Sequence, residues 1–353
     1  MDFTLSEEQL AVREAARSIA GSFGGSGQSR LWRELARGDL LGYCLPEKSG
    51  GSAGDLIGLC VLLEECGRAL AAAPVLETVV AAMAIDRSGS PWQRERWLPA
   101  VGDGNAVLTI APARGTLTAA PVTATAQDGA WLVSGTQPFV SYPDAVRVLV
   151  VADAGDRELA VLVDPAARGV ELIPHVTTSG LPEAELRLDD VEVTAADVLA
   201  GDAGGLGQWV WDRAVVGTCA LLTGIAAGAL AATARYTSQR EQFGRVLATF
   251  QAVALHAGDA FIDAEAMRLT TWQAAWRLAA GWPAAREVSI AKFWASEGAS
   301  RVTEVAQHLH GGMGVVTDYP LHRYLLWAKQ LELSLGSATC HLSRLADLIE
   351  VPR

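Results

Sequence analysis

The sequence predicts an α+β chain built from three successive segments: a helical domain over residues 1–104, a β-sandwich or barrel over 105–203, and a helical bundle of four long antiparallel helices over 204–353. Three observations predict it. The hydrophobic period changes from helical to two near Asn105 and back again near Gly204. Strand-like runs follow one another without intervening helices, so a βαβ dinucleotide-binding fold is not expected. Asp128-Gly129 lies between two alternating runs, the pattern of a tight hairpin.

Each element has its own local reason. Ser6 with Gln9 forms a capping box, and Leu5 with Leu10 a hydrophobic staple, at the head of a helix running towards Gly21. "PEKSGGSAGD" (Pro46 to Asp55) is turn-rich, and Asp55 is placed to cap the helix in "LIGLCVLLEECGRALAAA". In the middle segment Val, Thr and Leu alternate among Gly, Asp and Pro: "PVTATAQDGAWLVSGTQPFVS", "VRVLVVAD", "RELAVLVD" and "AELRLDDVEV". The last segment is helical, broken at "EQFGRVLATF", "AGWPAARE" and "HGGMGVVTDYP".

Composition bounds the function. Half of the 353 residues are hydrophobic and 19% are charged, enough for a large core and not the pattern of a disordered chain. The formal net charge of −12 gives no cationic footprint for nucleic acid. Cys44, Cys60, Cys66, Cys219 and Cys340 form no C-x-x-C pair and read as core residues of a reducing, cytoplasmic compartment. The start of the sequence is acidic and amphipathic, unlike a secretory leader. From Ala214 to Ala234 no charge occurs, and Gly224-x-x-x-Gly228 lies inside the run. Its Ala, Gly and Thr confer little transfer energy, so it is expected to be a buried helix packed closely on others rather than a membrane span.

The chemistry-bearing residues are few. His308 and His310 have no cysteine pair or H-E-x-x-H beside them, so no metal site is expected. Neither a G-x-S-x-G elbow nor a Walker loop occurs. "HGGMG" (His310 to Gly314) reads either as a helix stop or as a turn where backbone amides approach a ligand. "YTSQREQFGRVLATFQAV" (Tyr236 to Val253) supplies an arginine suited to phosphate, a phenylalanine to cover an aromatic ring and Gln251 to read a base edge; the plain alternative is a surface loop.

The start "MDFTLSEEQ", the β-rich middle, and a bundle carrying "R-E-Q-F-G-x-x-x-x-x-F-Q" and then "H-L-H-G-G-M-G" about 60 residues on resemble the acyl-CoA dehydrogenase family of flavoproteins. The resemblance covers essentially the whole chain. It implies FAD as cofactor and an acyl-CoA thioester as substrate. A carboxylate base would take the α-proton while the β-hydrogen leaves as hydride, and electrons would pass to an acceptor such as an electron-transfer flavoprotein. It further implies that FAD is held across a dimer interface, with Arg240, Gln242, Phe243 and Gln251 from one subunit and His308, Gly311 and Gly312 from its neighbour. Thr109, Ser141 and Ser337 would lie on the ring side.

The sequence departs from the family where the chemistry should be. The stretch matching the catalytic Glu-Gly-Thr is "SLGSAT", which puts Leu335 at the position of the base. The alternative base position holds Asp212, which also reads as a helix-N-terminal charge paired with Arg213 or another arginine. "TIAPARGTLT" (Thr109 to Thr118) keeps Thr109 and Gly115 but loses the family's acid, "FVS" (Phe139 to Ser141) replaces Trp-Ile-Thr, and His308 replaces a glutamine. This resembles the short, base-less subunit of the α2β2 acyl-CoA dehydrogenases of actinobacterial steroid side-chain degradation. The expectation is therefore a non-catalytic subunit that completes the FAD site of a homologous partner. Two alternatives stand beside it: a homotetramer with Asp212 as base, and a flavin-free structural homologue.

Overall fold

The computed structural model describes residues 4–23, 28–112, 121–199 and 205–349. Five helices come first: α1 (Glu7–Gly21), α2 (Gln28–Arg37), α3 (Leu56–Ala69), α4 (Val75–Ser88) and α5 (Pro91–Gly102). Strands follow: β1 (Leu108–Ala111), β2 (Thr123–Gln127), β3 (Ala130–Ser141), β4 (Arg147–Asp153), β5 (Glu158–Val163), β6 (Val170–Pro174) and β7 (Glu183–Val193). The rest comprises α6 (Leu206–Gln239), the short strands β8 (Glu241–Gln242) and β9 (Arg245–Val246), α7 (Gln251–Ala279), α8 (Ala285–His310), α9 (Leu321–Leu333) and α10 (Ala338–Leu348). The order of helices, strands and helices is the expected one.

The local signals act as read. Ser6 and Gln9 exchange both capping-box hydrogen bonds at the head of α1. Asp55 Oδ1 accepts from the Gly58 N–H at 2.9 Å and caps α3. Asp128 and Gly129 both take positive φ, 50° and 84°, which closes the β2–β3 hairpin with the hand that its strand twist favours.

Contacts group the residues into two compact units that do not follow chain order: Met1–Ser26, Cys60–Ala71 and Val215–Arg353 in one, Gly27–Leu59 and Ala72–Ala214 in the other. In the second unit all seven longer strands join one mixed sheet in the order β1-β4-β2-β3-β7-β6, with β5 also on β4. Along β7, Ala184, Leu186, Leu188, Val191 and Val193 are buried with exposed or half-buried residues between them, the alternation that pins one face to a core. Thr78 Oγ1 donates to the Leu108 carbonyl at 2.7 Å and ties α4 to β1.

In the first unit the charge-free run of α6 crosses α3 at close quarters. A Cβ on Gly224 would land on the Glu64 carbonyl, and one on Gly228 would come within 2.6 Å of the Arg68 carbonyl, so only glycine permits this approach. α6 is long and apolar enough to cross a membrane, but 78% of its most apolar window is already buried in protein. The bundle has one helix more than expected. Gly336 at φ 95° turns the chain after α9, and Ser337 caps a new helix, α10.

Candidate functional site

Three helix ends meet at one end of the helical unit: the C-terminus of α6, the N-terminus of α7 and the C-terminus of α8. Tyr236, in the last turn of α6, stacks on His310 at the end of α8, with centroids 4.3 Å apart and planes 20° from parallel. His256 of α7 meets His308 of α8 edge to face at 5.7 Å. The segment "YTSQREQFGRVLATFQAV" and the segment "HLHGG" are thereby brought together within one chain, where the family resemblance implies their division between neighbouring subunits.

Beyond α6 the chain turns sharply. β8 and β9 pair through a two-residue turn, Phe243-Gly244, with φ of 55° and 77°. Positive φ is uncommon for a bulky side chain and costs about 1–2 kcal/mol. Phe243 bears it while 90% exposed, with its ring edge-on to Phe250 at 6.2 Å. A strained aromatic held out in solvent points to a ligand or partner rather than to the core. Arg240 and Gln242 are exposed, and the Leu247 N–H donates to the Arg240 carbonyl at 2.9 Å, returning the chain to the start of α7.

α7 begins at Gln251 behind Phe250, with no side-chain cap and no acidic residue in its first turn. Its leading N–H groups and positive dipole end suit an anion. Gly311, at φ 57°, and Gly312 are exposed, with nothing within 4 Å of where a Cβ would stand. Guanidinium, exposed aromatic, uncapped helix start and open glycine turn form a donor set that fits the diphosphate and adenine end of a dinucleotide.

The other predicted residues lie elsewhere. In the same unit, Leu335 occupies the turn between α9 and α10 at φ 57°. This corner is pinned from beneath: His341 Nε2 donates to the Leu335 carbonyl at 2.9 Å, and Lys292 Nζ donates to the carbonyls of Leu331 and Glu332 at 3.1 and 3.0 Å. Burial pushes Lys292 down to about 8 and His341 to about 4. Ser337 Oγ accepts from the Cys340 N–H, so its lone pair serves as the helix cap. Leucine offers no proton acceptor at this corner. The Glu332 carboxyl, held above its ordinary range by burial, lies one helical turn earlier and faces Lys329 at 3.6 Å.

In the strand unit, Thr109 is fully buried and its Oγ1 donates to the Ser141 carbonyl at 2.6 Å, tying β1 to the end of β3. Phe139 is exposed, edge-on to His175 at 5.7 Å. Gly115 and the rest of "TIAPARGTLT" after Pro112 lie outside the described residues. Asp212 is buried, and its Oδ1 accepts from Gln208 Nε2 at 2.6 Å. Arg213, one of the arginines expected beside it, has its guanidinium over the Trp209 ring at 3.7 Å; burial lowers it to about 10, against the opposing charge of Asp212. Sequence reasoning missed Lys292, although it shares the apolar stripe of Val288, Ala295 and Ala299 on α8, a position that flags a buried charge.

Helices, curled central sheet and helical bundle in this order define a class, and the chain belongs to the acyl-CoA dehydrogenase family. The profile of the family's N-terminal domain matches residues 6–105 and that of its C-terminal domain residues 210–349. Acyl-CoA dehydrogenase FadE27 of Mycobacterium tuberculosis is 36% identical over 333 residues, 91% of this chain and 88% of its own length. The crystal structure of the ChsE4-ChsE5 complex from Mycobacterium tuberculosis contains a chain with 34% identity and TM-score 0.93 over 100% of both chains. A chain of the Tcur3481-Tcur3483 steroid ACAD, a G363A variant, shares 40% identity over 98% of both chains with TM-score 0.90.

Proposed function

We propose that this chain is a cytoplasmic, FAD-dependent acyl-CoA dehydrogenase subunit that works as the non-catalytic partner of a homologous catalytic chain in an α2β2 tetramer. The complex forms an α,β-double bond in a bulky, steroid-derived acyl-CoA and passes electrons to an acceptor such as an electron-transfer flavoprotein. The observation that carries the reading is Leu335: an aliphatic side chain stands where the family resemblance puts the base, while the helix junction that suits the cofactor's tail is intact. That two similar structures are complexes of two named chains supports the pairing.

In this reading the chain's own residues bind and orient. Arg240 meets the diphosphate through its planar fork, reinforced by the start of α7. Phe243 covers the adenine, Gln251 reads its edge, and the amides at Gly311 and Gly312 approach the backbone side of the tail, with Gln242 and His308 flanking it. When bound, FAD supplies the hydride acceptor. The ring side is weakly equipped in this chain: the Thr109 and Ser337 hydroxyls serve their own scaffold, leaving Ser141 and Phe139 nearest to the family pattern.

The test is expression of the chain alone and together with its homologous partner, followed by flavin content and turnover of a steroid acyl-CoA. Alone, it should retain little FAD and show no dehydrogenation; with the partner, both should appear. Full flavin occupancy and turnover by the chain alone would overturn the proposal.

A further inference from the structure

His310 closes α8 immediately before Gly311-Gly312 and is 3% exposed. Its imidazole touches three separate stretches. Nδ1 lies 2.8 Å from the Ala306 carbonyl, which can only accept, so Nδ1 carries the proton. Nε2 is then the acceptor, and the Tyr319 hydroxyl donates to it across 3.2 Å. Tyr319 stands beyond the far end of the 3-10 turn Gly311–Val315. The ring face stacks on Tyr236, whose own carbonyl receives the Arg240 N–H at 2.9 Å. Burial keeps the imidazole below its ordinary pKa, which favours this neutral tautomer.

The contacts share a geometric consequence. The stack fixes the last turn of α6, from which the Arg240–Phe243 hairpin springs. The bond to Tyr319 fixes the exit of the glycine turn, and the bond to Ala306 fixes its entry. Neither Gly311 nor Gly312 has a neighbour within 4 Å of its Cβ position, so this half of the turn gains no support from packing of its own, and the buried Gly314 beyond it packs on Gln307. Donors on two separate segments serve a diphosphate well only when their spacing is held within about 0.5 Å.

We propose that His310 is a positioning residue for the cofactor's tail: through Tyr236 and Tyr319 it sets the placement of the Arg240–Phe243 hairpin relative to the Gly311–Gly312 turn. The inference rests on the reading that these two segments hold the diphosphate and adenine of FAD. It adds a residue that itself touches no part of the cofactor.

The experiment uses the full chain assembled with its homologous partner and stripped of flavin. FAD, and separately ADP as a probe of the tail alone, are titrated into wild type, His310→Ala, His310→Phe, Tyr319→Phe, Tyr236→Phe and Tyr236→Ala, with unfolding midpoints measured in parallel. His310→Ala and Tyr236→Ala should each weaken ADP binding by about tenfold, the scale of one lost aromatic pair with a hydrogen bond. Tyr236→Phe, which keeps the stack, should bind as wild type does. Tyr319→Phe and His310→Phe, which keep the stack but lose the hydrogen bond, should each weaken binding by about threefold. A His310→Ala assembly with a lowered midpoint but unchanged affinity for FAD and ADP overturns the proposal and leaves only a structural role. Should that variant fail to fold, Tyr319→Phe decides, and wild-type affinity for ADP overturns it. A wild-type assembly that binds neither FAD nor ADP defeats the functional reading itself, a result distinct from selective failure of the His310 variants.

Discussion

Replacing Lys292 by methionine should change how the protein's stability responds to pH. Lys292 is fully buried on α8 and donates to Ser296 Oγ at 2.9 Å as well as to the two α9 carbonyls. Burial lowers the ammonium from 10.5 to about 8, with weaker opposition from Cys219 and Glu332. Between pH 8 and 10.5 the unfolded chain holds a proton that the folded chain has released, so folding stability rises with pH across that window. At about 1.4 kcal/mol per unit, the rise amounts to about 3 kcal/mol. Below pH 8 both states are protonated and the slope vanishes. The Cys44, Cys66 and Cys219 thiols, all raised by burial, the last two to about 12, give an opposite slope above pH 9, when the unfolded thiols ionise first. That slope belongs to both proteins and largely cancels in their difference. Denaturant unfolding of wild type and Lys292→Met at intervals from pH 7 to 10.5 measures the difference. It should grow in favour of wild type by about 3 kcal/mol. A flat difference would refute the claim that Lys292 is charged and buried in the fold at neutral pH. At pH 7 the two should be close, because methionine removes the charge-burial cost but leaves the Leu331 and Glu332 carbonyls without a donor, at about 1–3 kcal/mol each.

Four further predictions use other parts of the molecule. Asp212→Asn in the assembled complex should leave kcat within about twofold of wild type, whereas loss of a catalytic base costs on the order of a hundredfold or more; steady-state turnover separates the two. Gly224→Val should lower the unfolding midpoint, at a cost of about 1–3 kcal/mol, because its Cβ meets the Glu64 carbonyl. Gly258→Ala, with nothing within 4 Å of its Cβ on α7, should raise the midpoint by up to about 1 kcal/mol, and a drop would contradict the exposed placement. Phe243→Asn should relieve roughly 1 kcal/mol of backbone strain yet weaken FAD binding, so calorimetry and flavin titration should move in opposite senses; a less stable variant would show that the ring supports the fold.

Local chemistry made much of this protein legible in advance. Ser6 with Gln9, Asp55 before α3 and Asp128-Gly129 each act over a few residues, and the structure shows each in the expected role. The spacing of "REQFG" and "HGGMG" likewise carried the family, because the residues that suit a dinucleotide tail sit in two short stretches. That a leucine stands at position 335 was visible as well, since it is a matter of residue identity and needs no geometry.

Tertiary structure decided what depends on residues far apart in the chain. The stripe on α8 does not reveal that Lys292 lies fully buried beneath the α9–α10 turn, because the carbonyls it binds belong to another helix. The hydroxyl of Thr109 reads as a ligand contact until folding brings the Ser141 carbonyl within 2.6 Å. In the sequence His310 reads only as a histidine without metal-site neighbours, until Tyr236 and Tyr319 arrive at its ring. By itself, the sequence determined most of the elements, their order and the family, since propensity, capping and turn chemistry act between neighbours. Only the fold determined which polar groups find partners, because in a close-packed interior a buried donor's partner is whichever acceptor the packing of distant segments brings within reach.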